Sequence, residues 1–398
     1  MKIKAGILFF LSLFLAGCCQ DSIPETTAVS TTEPAITVCA TLPETQPATI
    51  PTTQPTEPPS LPEQILNGMT LEEKVGQMLL VRCPEESAAE DIDTYHLGGY
   101  ILFGRDFEQE TADSATAKIM SYQQSAEIPL FIAVDEEGGT VNRVSCYPQY
   151  SEERFYSPRY LYSQGGLELI QSTEVEKCQL LSSLGINVNM APVCDVTTDE
   201  NAFMYYRSLG ESPELTGEFV AGNVTVMAEH RIGSVLKHFP GYGNNTDTHS
   251  GIAVDSRSLE SLETKDLIPF QAGIDAGCGA VMVSHTIVEC LDPVLPASLS
   301  PTVHTYLRET MCFEGVIVTD DLVMEAITDL YGDEEAAVLA VLAGNDLLCC
   351  TNYQTQYHAI LEAAETGRIP LSAINDAVLR ILRWKEDLGL LEQVSITN

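Results

Sequence analysis

Short apolar runs alternate with longer segments of helical period along the chain from Thr70 onward. This alternation is typical of a parallel sheet whose strands are joined by crossover helices. Eight of the apolar runs are strand candidates, namely Gln77–Arg82, Gly99–Phe103, Leu130–Asp135, Ile186–Pro192, Ser234–His238, Ala280–His285, Gly315–Asp320 and Asp346–Thr351. Eight strands over about 330 residues predict an α/β fold with a single (β/α)8 barrel of the TIM type, and a doubly wound open sheet is the competing fold.

The apolar runs end in polar or ionisable side chains at one strand after another. These residues are Asp135, Asp195, Lys237, His238, His285 and Asp320. In a barrel the C-terminal strand ends converge on one mouth, where the chemistry takes place. An open sheet would bind its ligand at a crevice with a glycine-rich phosphate turn, and no strand candidate runs into such a motif. The pattern therefore favours the barrel and disfavours nucleotide binding.

The N-terminus has the features of an export signal. Two lysines precede an apolar run, Ala5–Leu15, that is too short to span a bilayer. The segment Leu15-Ala16-Gly17-Cys18 resembles a bacterial lipobox. We therefore predict that residues 1–17 are a lipoprotein signal peptide and that Cys18 carries lipid. The protein would then be extracytoplasmic and anchored to the bacterial cell membrane, and an ordinary secretory signal is the alternative.

Composition changes sharply after the signal. Asp21–Ser60 holds 11 Thr and 8 Pro with no aromatic residue, Lys or Arg, so residues 18–60 are predicted to be a disordered tether. The folded domain, residues 61–398, carries 18 basic and 52 acidic residues. A formal charge of −37 for the whole chain argues against nucleic acid as a partner, because such a surface would repel it.

The chain contains 12 cysteines but no Cys-x-x-Cys pair. Most are predicted to be buried small hydrophobic residues because they lie in apolar runs, as do Cys194, Cys312, Cys349 and Cys350. Cys83 and Cys146, in polar segments, are the candidates for a disulfide. His and Cys residues are not closely spaced, and we predict no metal and no cofactor.

The first of three segments with candidate chemistry follows the fifth strand candidate. The strand ends in Lys237 and His238, and a loop rich in Gly and Asn leads to Asp247 and His249. A carboxylate beside an imidazole orients it and stabilises its protonated form, which suits general acid/base catalysis near neutral pH. The alternative is that Asp247 and His249 only cap a turn through local hydrogen bonds.

The second segment is the apolar strand Val316–Asp320. A carboxylate at the barrel mouth can act as a nucleophile or stabilise a developing oxocarbenium ion, and Asp320 is placed to do either. The adjacent Asp321 could instead be the N-cap of the following helix, and for both aspartates a capping role is equally open at this point.

The third segment follows the strand that ends at Asp135. The pair Gly138-Gly139 permits a tight turn that can bring Arg143 back toward the same mouth. A carboxylate that accepts from sugar hydroxyls beside a guanidinium that donates to another is ordinary carbohydrate recognition. A surface ion pair between Asp135 and Arg143 is the alternative.

Together these segments resemble the family-3 glycoside hydrolases, in particular the bacterial β-N-acetylglucosaminidase branch. The resemblance extends over Met69–Leu390 and rests on Asp135–Gly139, Asn189–Val196, Arg207–Gly210, Lys237–Gly241, Asp247–His249 and Val318–Asp321, which follow the family's order. It implies that Asp320 is the nucleophile and that His249, held by Asp247, is the acid/base. It further implies that the terminal sugar is gripped by Asp135, Arg143, Arg207, Lys237 and His238.

The activity implied by the resemblance is that of a retaining β-N-acetylhexosaminidase, with a carbohydrate substrate from cell-wall or chitin-type glycans. Family-3 β-glucosidases usually take their acid/base from a second domain after the barrel. Here the chain ends at Asn398, and the Asp-x-His loop of the barrel is expected to supply the acid/base instead. The rival functions are a catalytically silent sugar-binding lipoprotein, a β-glucosidase and a glycoside phosphorylase.

Four positions depart from the family's pattern, at Glu136, Thr140, Tyr242 and Thr248. None of them removes a proposed catalytic group. Glu136 and Thr140 are expected to alter the charge beside the sugar site and so to affect the preference among aglycones.

Overall fold

The computed structural model describes residues 59–243 and 251–394. The predicted signal peptide, tether and lipidated Cys18 lie outside this part of the chain. The strands are β1 Leu79–Arg82, β2 Gly99–Leu102, β3 Phe131–Val134, β4 Val188–Asn189, β5 Gly233–Phe239, β6 Val254–Asp255, β7 Ala280–Val283, β8 Ile287–Val288, β9 Val316–Thr319 and β10 Leu348–Cys350.

Helices connect most of the strands. They are α1 Leu61–Gly68, α2 Leu71–Gln77, α3 Ala88–Tyr95, α4 Arg105–Glu108, α5 Ala112–Ser125, α6 Pro158–Ser183, α7 Pro213–Glu229, α8 Leu259–Ser261, α9 Leu267–Asp275, α10 Pro301–Thr305, α11 Glu325–Ala343, α12 Tyr353–Glu365 and α13 Leu371–Asp387. Single π turns extend α8 and α10 at Leu262–Asp266 and Tyr306–Thr310. No helix in the described ranges is both long enough and apolar enough to cross a membrane.

Eight of the strands form one parallel sheet in the order β10-β1-β2-β3-β4-β5-β7-β9. A parallel bridge between Val318 and Leu347 joins the two ends of this order and closes the barrel. The predicted (β/α)8 barrel is therefore confirmed, and the doubly wound sheet is excluded. All eight strand candidates occur in the barrel, although several strands are shorter than predicted, such as β4.

Large apolar side chains fill the barrel interior, which is lined by Leu80, Phe131, Val188, Met190, Val235, Val318, Leu347 and Trp384. Trp384 projects from α13 into the N-terminal end of the barrel. A Cβ atom at Gly279 would clash with the indole nitrogen of Trp384, so this position requires glycine. The barrel is closed by packing at this end, and its C-terminal end is the one open to chemistry.

Strand periodicity determines which side chains reach the open end. Residues two apart on a strand face the same side of the sheet. Leu80, Val235 and Val318 face the interior. Arg82 and Lys237 lie two positions further along β1 and β5, and Asp320 lies two positions after Val318, directly beyond β9, so all three project toward the mouth.

One pair of strands was not predicted. The short strands β6 and β8 pair with each other outside the barrel. They are only two residues long, too short to show a periodic pattern.

The cysteine expectations were wrong in part. No disulfide joins Cys83 to Cys146, because Cys83 is buried against the Tyr122 hydroxyl whereas Cys146 is exposed. Cys312, predicted to be buried, is exposed at a left-handed turn position. Cys194, Cys349 and Cys350 are buried as expected.

Candidate active site

Lys237 is the buried centre of the site. Its ammonium lies 2.7 Å from Oδ1 of Asp135 and 2.6 Å from Oε1 of Glu137, and its side chain is 2% exposed. β5 supplies the lysine and the segment after β3 supplies both carboxylates. Burial alone would lower the pKa of Lys237, but the two carboxylates overcome this effect and raise it. The lysine is therefore held charged.

Glu137 joins Lys237 to Arg207 through a bidentate pair. Nε of Arg207 donates to Oε2 of Glu137 at 2.9 Å, and Nη2 donates to Oε1 at 2.7 Å. Burial opposes ionisation of Glu137, yet the charges of Arg207 and Lys237 hold the pKa of its carboxyl well below its ordinary range. Sequence analysis did not assign a role to Glu137. The only available signal was its place in the acidic run after the third strand.

The imidazole of His238 is fixed on both ring nitrogens. Nδ1 lies 2.9 Å from Oδ2 of Asp195, and Nε2 lies 3.1 Å from Nη2 of Arg207. Because a guanidinium can only donate, Nε2 accepts, and the proton is on Nδ1, which donates to Asp195. Asp195 also accepts from the backbone amide of Tyr242 at 2.7 Å. The Lys237–His238 and Phe239–Pro240 peptide bonds of this segment are cis.

Arg143 returns to the mouth as the glycine pair predicted. Its Nη2 lies 3.6 Å from Oδ2 of Asp135, and both side chains are partly buried. Gly138 has a φ of 99°, and a Cβ there would clash with the carbonyl oxygen of Tyr156. The turn therefore needs glycine to bring Arg143 to Asp135.

Glu136 has a structural role that the sequence did not predict. Its carboxylate is fully buried and accepts from the backbone amides of Arg143, Val144 and Ser145, at 2.7, 2.8 and 3.2 Å, and from the Ser145 hydroxyl. These donors all come from the segment that returns to the mouth, so Glu136 fixes that segment, and its expected effect on the charge beside the sugar site stays a prediction. Thr140 is exposed at the tip of the turn.

Asp320 lies directly after β9 at the mouth. Its Oδ1 accepts from the backbone amide of Asp321 at 2.9 Å. Burial raises the pKa of the Cys349 thiol below it, and Asp321, Asp320 and Asp135 raise that pKa further. β3 and β9 are four strands apart in the closed order of eight, so Asp135 and Asp320, which follow them, lie on facing sides of the mouth.

Asp321 is not the N-cap of the following helix, as one alternative had it. The helix α11 begins at Glu325, with Met324 as its N-cap. Oδ1 of Asp321 accepts from the amide of Val323 at 3.1 Å, and Oδ2 accepts from the Thr351 hydroxyl at 2.6 Å. Asp321 thus ties the loop after β9 to the end of β10.

The structure brings five of the predicted site residues into one connected group at the mouth. They are Asp135, Arg143, Arg207, Lys237 and His238. Their roles in sugar binding stay predictions. Asp247 and His249 lie outside the described residues. In the described part of the chain, no three His, Cys, Asp or Glu side chains are grouped as a metal site would need.

Comparison with known proteins gives a consistent result. The family profile described as "Glycosyl hydrolase family 3 N terminal domain" matches residues 70–384. The chain is 30% identical over 326 residues to the beta-hexosaminidase LpqI of Mycobacterium tuberculosis, an alignment that covers 79% of this chain and 82% of that protein.

Solved structures are similar as well. A glycoside hydrolase family 3 beta-N-acetylglucosaminidase from Paenibacillus sp. str. FPU-7 matches with a TM-score of 0.76 and 31% identity over 83% of this chain. The chain spans 65% of the length of that Paenibacillus protein. A beta-N-acetylhexosaminidase from Beutenbergia cavernae matches with a TM-score of 0.73 and 26% identity, over 80% of this chain and 99% of that one.

Proposed function

The chain belongs to family 3 of the glycosyl hydrolases, and from this we propose that it hydrolyses terminal non-reducing β-linked N-acetylglucosamine from glycans. Beta-hexosaminidase relatives and beta-N-acetylglucosaminidase neighbours support this substrate. The observation that carries the proposal is the connected polar group around Lys237 at the mouth, with Asp320 after a strand on the facing side of the barrel from Asp135.

The polar group has the donors and acceptors that a pyranose ring needs. Asp135 can accept from sugar hydroxyls, because Lys237 occupies only Oδ1 at hydrogen-bond distance and Arg143 is 3.6 Å from Oδ2. Arg143 and Arg207 can donate to hydroxyl oxygens. The ion pairs with Glu137 hold Lys237 and Arg207 in place before the sugar arrives. Preorganised polar groups of this kind bind without reorganisation at the moment of reaction.

The proposed reaction is a double displacement that retains the anomeric configuration. The Asp320 carboxylate forms a bond to C1 as the glycosidic C1–O bond breaks, and His249 donates a proton to the departing oxygen. His249 then takes a proton from water as the water oxygen attacks C1, and Asp320 leaves as a carboxylate. Asp247 would hold the imidazole of His249 in orientation.

One labelling experiment tests the nucleophile directly. An activated 2-deoxy-2-fluoro glycoside, in which fluorine replaces the acetamido group at C2, should trap a glycosyl-enzyme, and peptide mass spectrometry should locate the label on Asp320. Asp320→Ala should abolish turnover, whereas the matched control Asp329→Ala, at an exposed aspartate of α11, should leave it unchanged. Label on another residue, or near-normal turnover by Asp320→Ala, would show the assignment to be wrong.

Substrate pairs separate the proposed activity from its rivals. The wild-type enzyme should release 4-nitrophenol from the N-acetylglucosaminide much faster than from the glucoside. The reverse preference would indicate a β-glucosidase. Tight binding of N-acetylglucosamine without turnover of either substrate would indicate a silent sugar-binding protein. His249→Ala should slow poor leaving groups more than activated ones, since activated groups depart with little protonation.

We also infer that the enzyme is a lipoprotein held at the outer side of the cytoplasmic membrane through Cys18. The support is the sequence Leu15-Ala16-Gly17-Cys18 after a short apolar run. Expressed in a bacterium, the wild-type protein should incorporate radiolabelled palmitate and partition into detergent, and Cys18→Ala should do neither. Cys19→Ala is the matched control and should behave as wild type. Equal labelling of Cys18→Ala would contradict the inference.

A further inference from the structure

The exposed aromatic side chains of the described residues all lie in the two segments that follow β3 and β4. Tyr156, Tyr160 and Tyr206 are 41%, 47% and 64% exposed. Every other Phe, Tyr or Trp in the described part of the chain is buried or half-buried. Since both segments leave the C-terminal ends of barrel strands, the exposed rings are collected at the open end of the barrel.

Both segments adjoin the predicted sugar site. The carbonyl oxygen of Tyr156 packs so closely on Gly138, the residue after Glu137, that a Cβ atom there would clash with it. Tyr206 directly precedes Arg207, which is paired with Glu137. The exposed tyrosines therefore lie at the rim of the mouth, on the side of the polar group.

Contacts among the aromatic rings and with Arg159 hold the two segments together. The ring centroids of Tyr156 and Tyr160 are 4.6 Å apart, with their planes inclined at 34°. The rings of Tyr205 and Tyr206 meet edge to face at 5.0 Å. Arg159 stacks on the Tyr205 ring at 3.8 Å and donates to the Tyr205 carbonyl at 3.0 Å. Tyr156, Tyr160 and Tyr206 thus form one preorganised surface, the tyrosine platform.

The tyrosine platform is too small for a stable protein partner. If each tyrosine side chain presents about 200 Å², the three exposed fractions leave about 300 Å² open to solvent. A stable protein interface buries about 800 Å² on each partner. A clustered set of exposed aromatic rings nevertheless marks an interaction site. Its area is suited to a short stretch of glycan.

The chemistry of the platform suits the uncharged faces of sugar rings. C–H groups on the face of a β-linked pyranose carry a slight positive charge, whereas the face of an aromatic ring is negative. Exposed carboxylates in the same segments, Glu152, Glu153 and Glu200, can accept from sugar hydroxyls. Oε2 of Glu153 lies 3.4 Å from the Tyr156 hydroxyl.

We propose that the tyrosine platform binds the sugars that follow the cleaved residue in a chain of β-1,4-linked N-acetylglucosamine, by stacking on their ring faces. The proposal rests on the proposed hydrolase function. A glycan whose terminal sugar lies beside Glu137 and Arg207 has to leave the mouth across its rim. Tyr156 and Tyr206 lie at the part of the rim that adjoins these two residues. The enzyme should therefore prefer longer chains to a disaccharide.

The first test compares two chain lengths. Initial rates give kcat/KM for the disaccharide and the tetrasaccharide of β-1,4-linked N-acetylglucosamine, and the wild-type ratio should favour the tetrasaccharide. Tyr156→Ala, Tyr160→Ala and Tyr206→Ala combined in one protein, the triple alanine variant, should lower this ratio about tenfold or more, since each stacked ring contributes about threefold. Phenylalanine at the same three positions keeps the rings and should keep most of the ratio.

The matched control removes three exposed apolar side chains elsewhere. Met120, Leu342 and Leu371 are 54%, 38% and 55% exposed on α5, α11 and α13. Met120→Ala, Leu342→Ala and Leu371→Ala combined should leave the tetrasaccharide-to-disaccharide ratio at the wild-type value. An equal fall in this control, or an unchanged ratio in the triple alanine variant, would overturn the proposal.

Sedimentation velocity tests the other use of exposed rings, which is contact between copies of this chain. A wild-type dimer that the triple alanine variant dissociates, together with an unchanged ratio, would assign the tyrosines to self-association and overturn the platform. A monomeric wild type whose ratio falls in the triple alanine variant would support it.

Failure of the proposed function is distinguishable from failure of the platform. The wild type would then release N-acetylglucosamine from no substrate, whereas a failed platform leaves turnover with an unchanged length ratio. Calorimetric titration of N-acetylglucosamine and of the tetrasaccharide still tests the platform in a protein without turnover. The triple alanine variant should bind the tetrasaccharide at least tenfold more weakly than the wild type. Equal affinities for the tetrasaccharide would overturn the proposal.

Discussion

Nε2 of His285 lies 3.0 Å from the main-chain carbonyl oxygen of Asp321, the residue after the proposed nucleophile. A carbonyl can only accept, so Nε2 carries a hydrogen and donates. Nδ1 lies 2.7 Å from the Ser298 hydroxyl, which fixes the ring from its other side. Asp320 accepts from the amide of Asp321. His285 therefore positions Asp320 through the backbone of its neighbour.

Replacing His285 should reduce kcat with little change in KM. His285→Ala leaves the Asp321 carbonyl without its donor, and since a misplacement of about 1 Å can cost about a hundredfold in rate, we expect a loss of up to that size. Steady-state kinetics with the 4-nitrophenyl substrate measures both constants, and trapping with the 2-fluoro analogue should slow in parallel with kcat.

His285→Gln is the conservative comparison, because its amide can still donate to the carbonyl, and it should recover part of the lost kcat. Thermal unfolding of both variants separates positioning from loss of the fold. A rise in KM at constant kcat would contradict the positioning role.

Asp195→Asn should disable His238 by reversing its tautomer. The asparagine amide would present a donor to Nδ1 and force the ring hydrogen onto Nε2, where it would oppose the Nη2 donor of Arg207. We expect kcat/KM for N-acetylglucosaminides to fall by about tenfold to a hundredfold, as for a lost buried hydrogen bond.

Nitrogen-15 NMR of labelled His238 checks the cause of that loss. The wild type should show protonated Nδ1 and unprotonated Nε2, and Asp195→Asn the reverse. Asp199→Asn, at a carboxylate of the same loop that does not contact His238, is the control. An unchanged tautomer with reduced activity would refute the explanation.

The sequence predicted the barrel because its strands are apolar runs, five of which are followed by a polar or ionisable group. The mouth was predictable for the same reason, since Asp135, Lys237 and Asp320 follow such runs. The role of Glu137 was not predictable. An acidic residue after a strand gives the same sequence pattern whether its side chain is solvated or buried between two cations. Arg207 lies in an irregular loop, and only the family resemblance pointed to it. The N-cap alternative for Asp321 was wrong. The side chain of an aspartate after a strand can form hydrogen bonds to the end of a neighbouring strand as readily as to a helix N-terminus.

Glu137→Gln should be strongly destabilising at neutral pH. Breaking the buried ion pairs of Glu137 leaves the charge of Arg207 uncompensated and Lys237 paired with Asp135 alone, which costs about 3–5 kcal/mol. The folded pKa of Glu137 lies below its ordinary value of 4.5, so its stabilising effect is complete above that pH and is lost as the pH falls toward the lowered pKa.

The stability difference between wild type and Glu137→Gln should therefore shrink between pH 5 and pH 2. Urea unfolding at several pH values measures it. Glu335→Gln, which removes one half of an exposed pair with Arg368, should show little effect because solvent screens that pair. If the difference between wild type and Glu137→Gln did not change with pH, the lost stability would have another origin.

Lys385 gives a pH dependence of the same sign in a higher pH range, because its pKa is also lowered, in this case by burial. It is fully buried at the N-terminal end of the barrel, where its ammonium contacts Oε1 of Gln77 at 2.7 Å and lies 5.0 Å from the Phe131 ring centroid. Burial lowers the pKa of Lys385 from 10.5 to about 7. The unfolded chain binds the proton more tightly, so stability due to this group is present above pH 10.5 and is lost as the pH falls toward 7.

Lys385→Met should flatten this dependence. The variant should lose less stability than the wild type between pH 10 and pH 7, by several kcal/mol, since each pKa unit corresponds to about 1.4 kcal/mol. Gln77 loses its donor in the variant at every pH, so that cost cancels when the slopes are compared. Lys118→Met, at a lysine of α5 whose side chain is 40% exposed, should keep the wild-type slope. If Lys385→Met also kept the wild-type slope, Lys385 would have the same protonation state in the folded and unfolded chains throughout this range. Burial would then not have shifted its pKa.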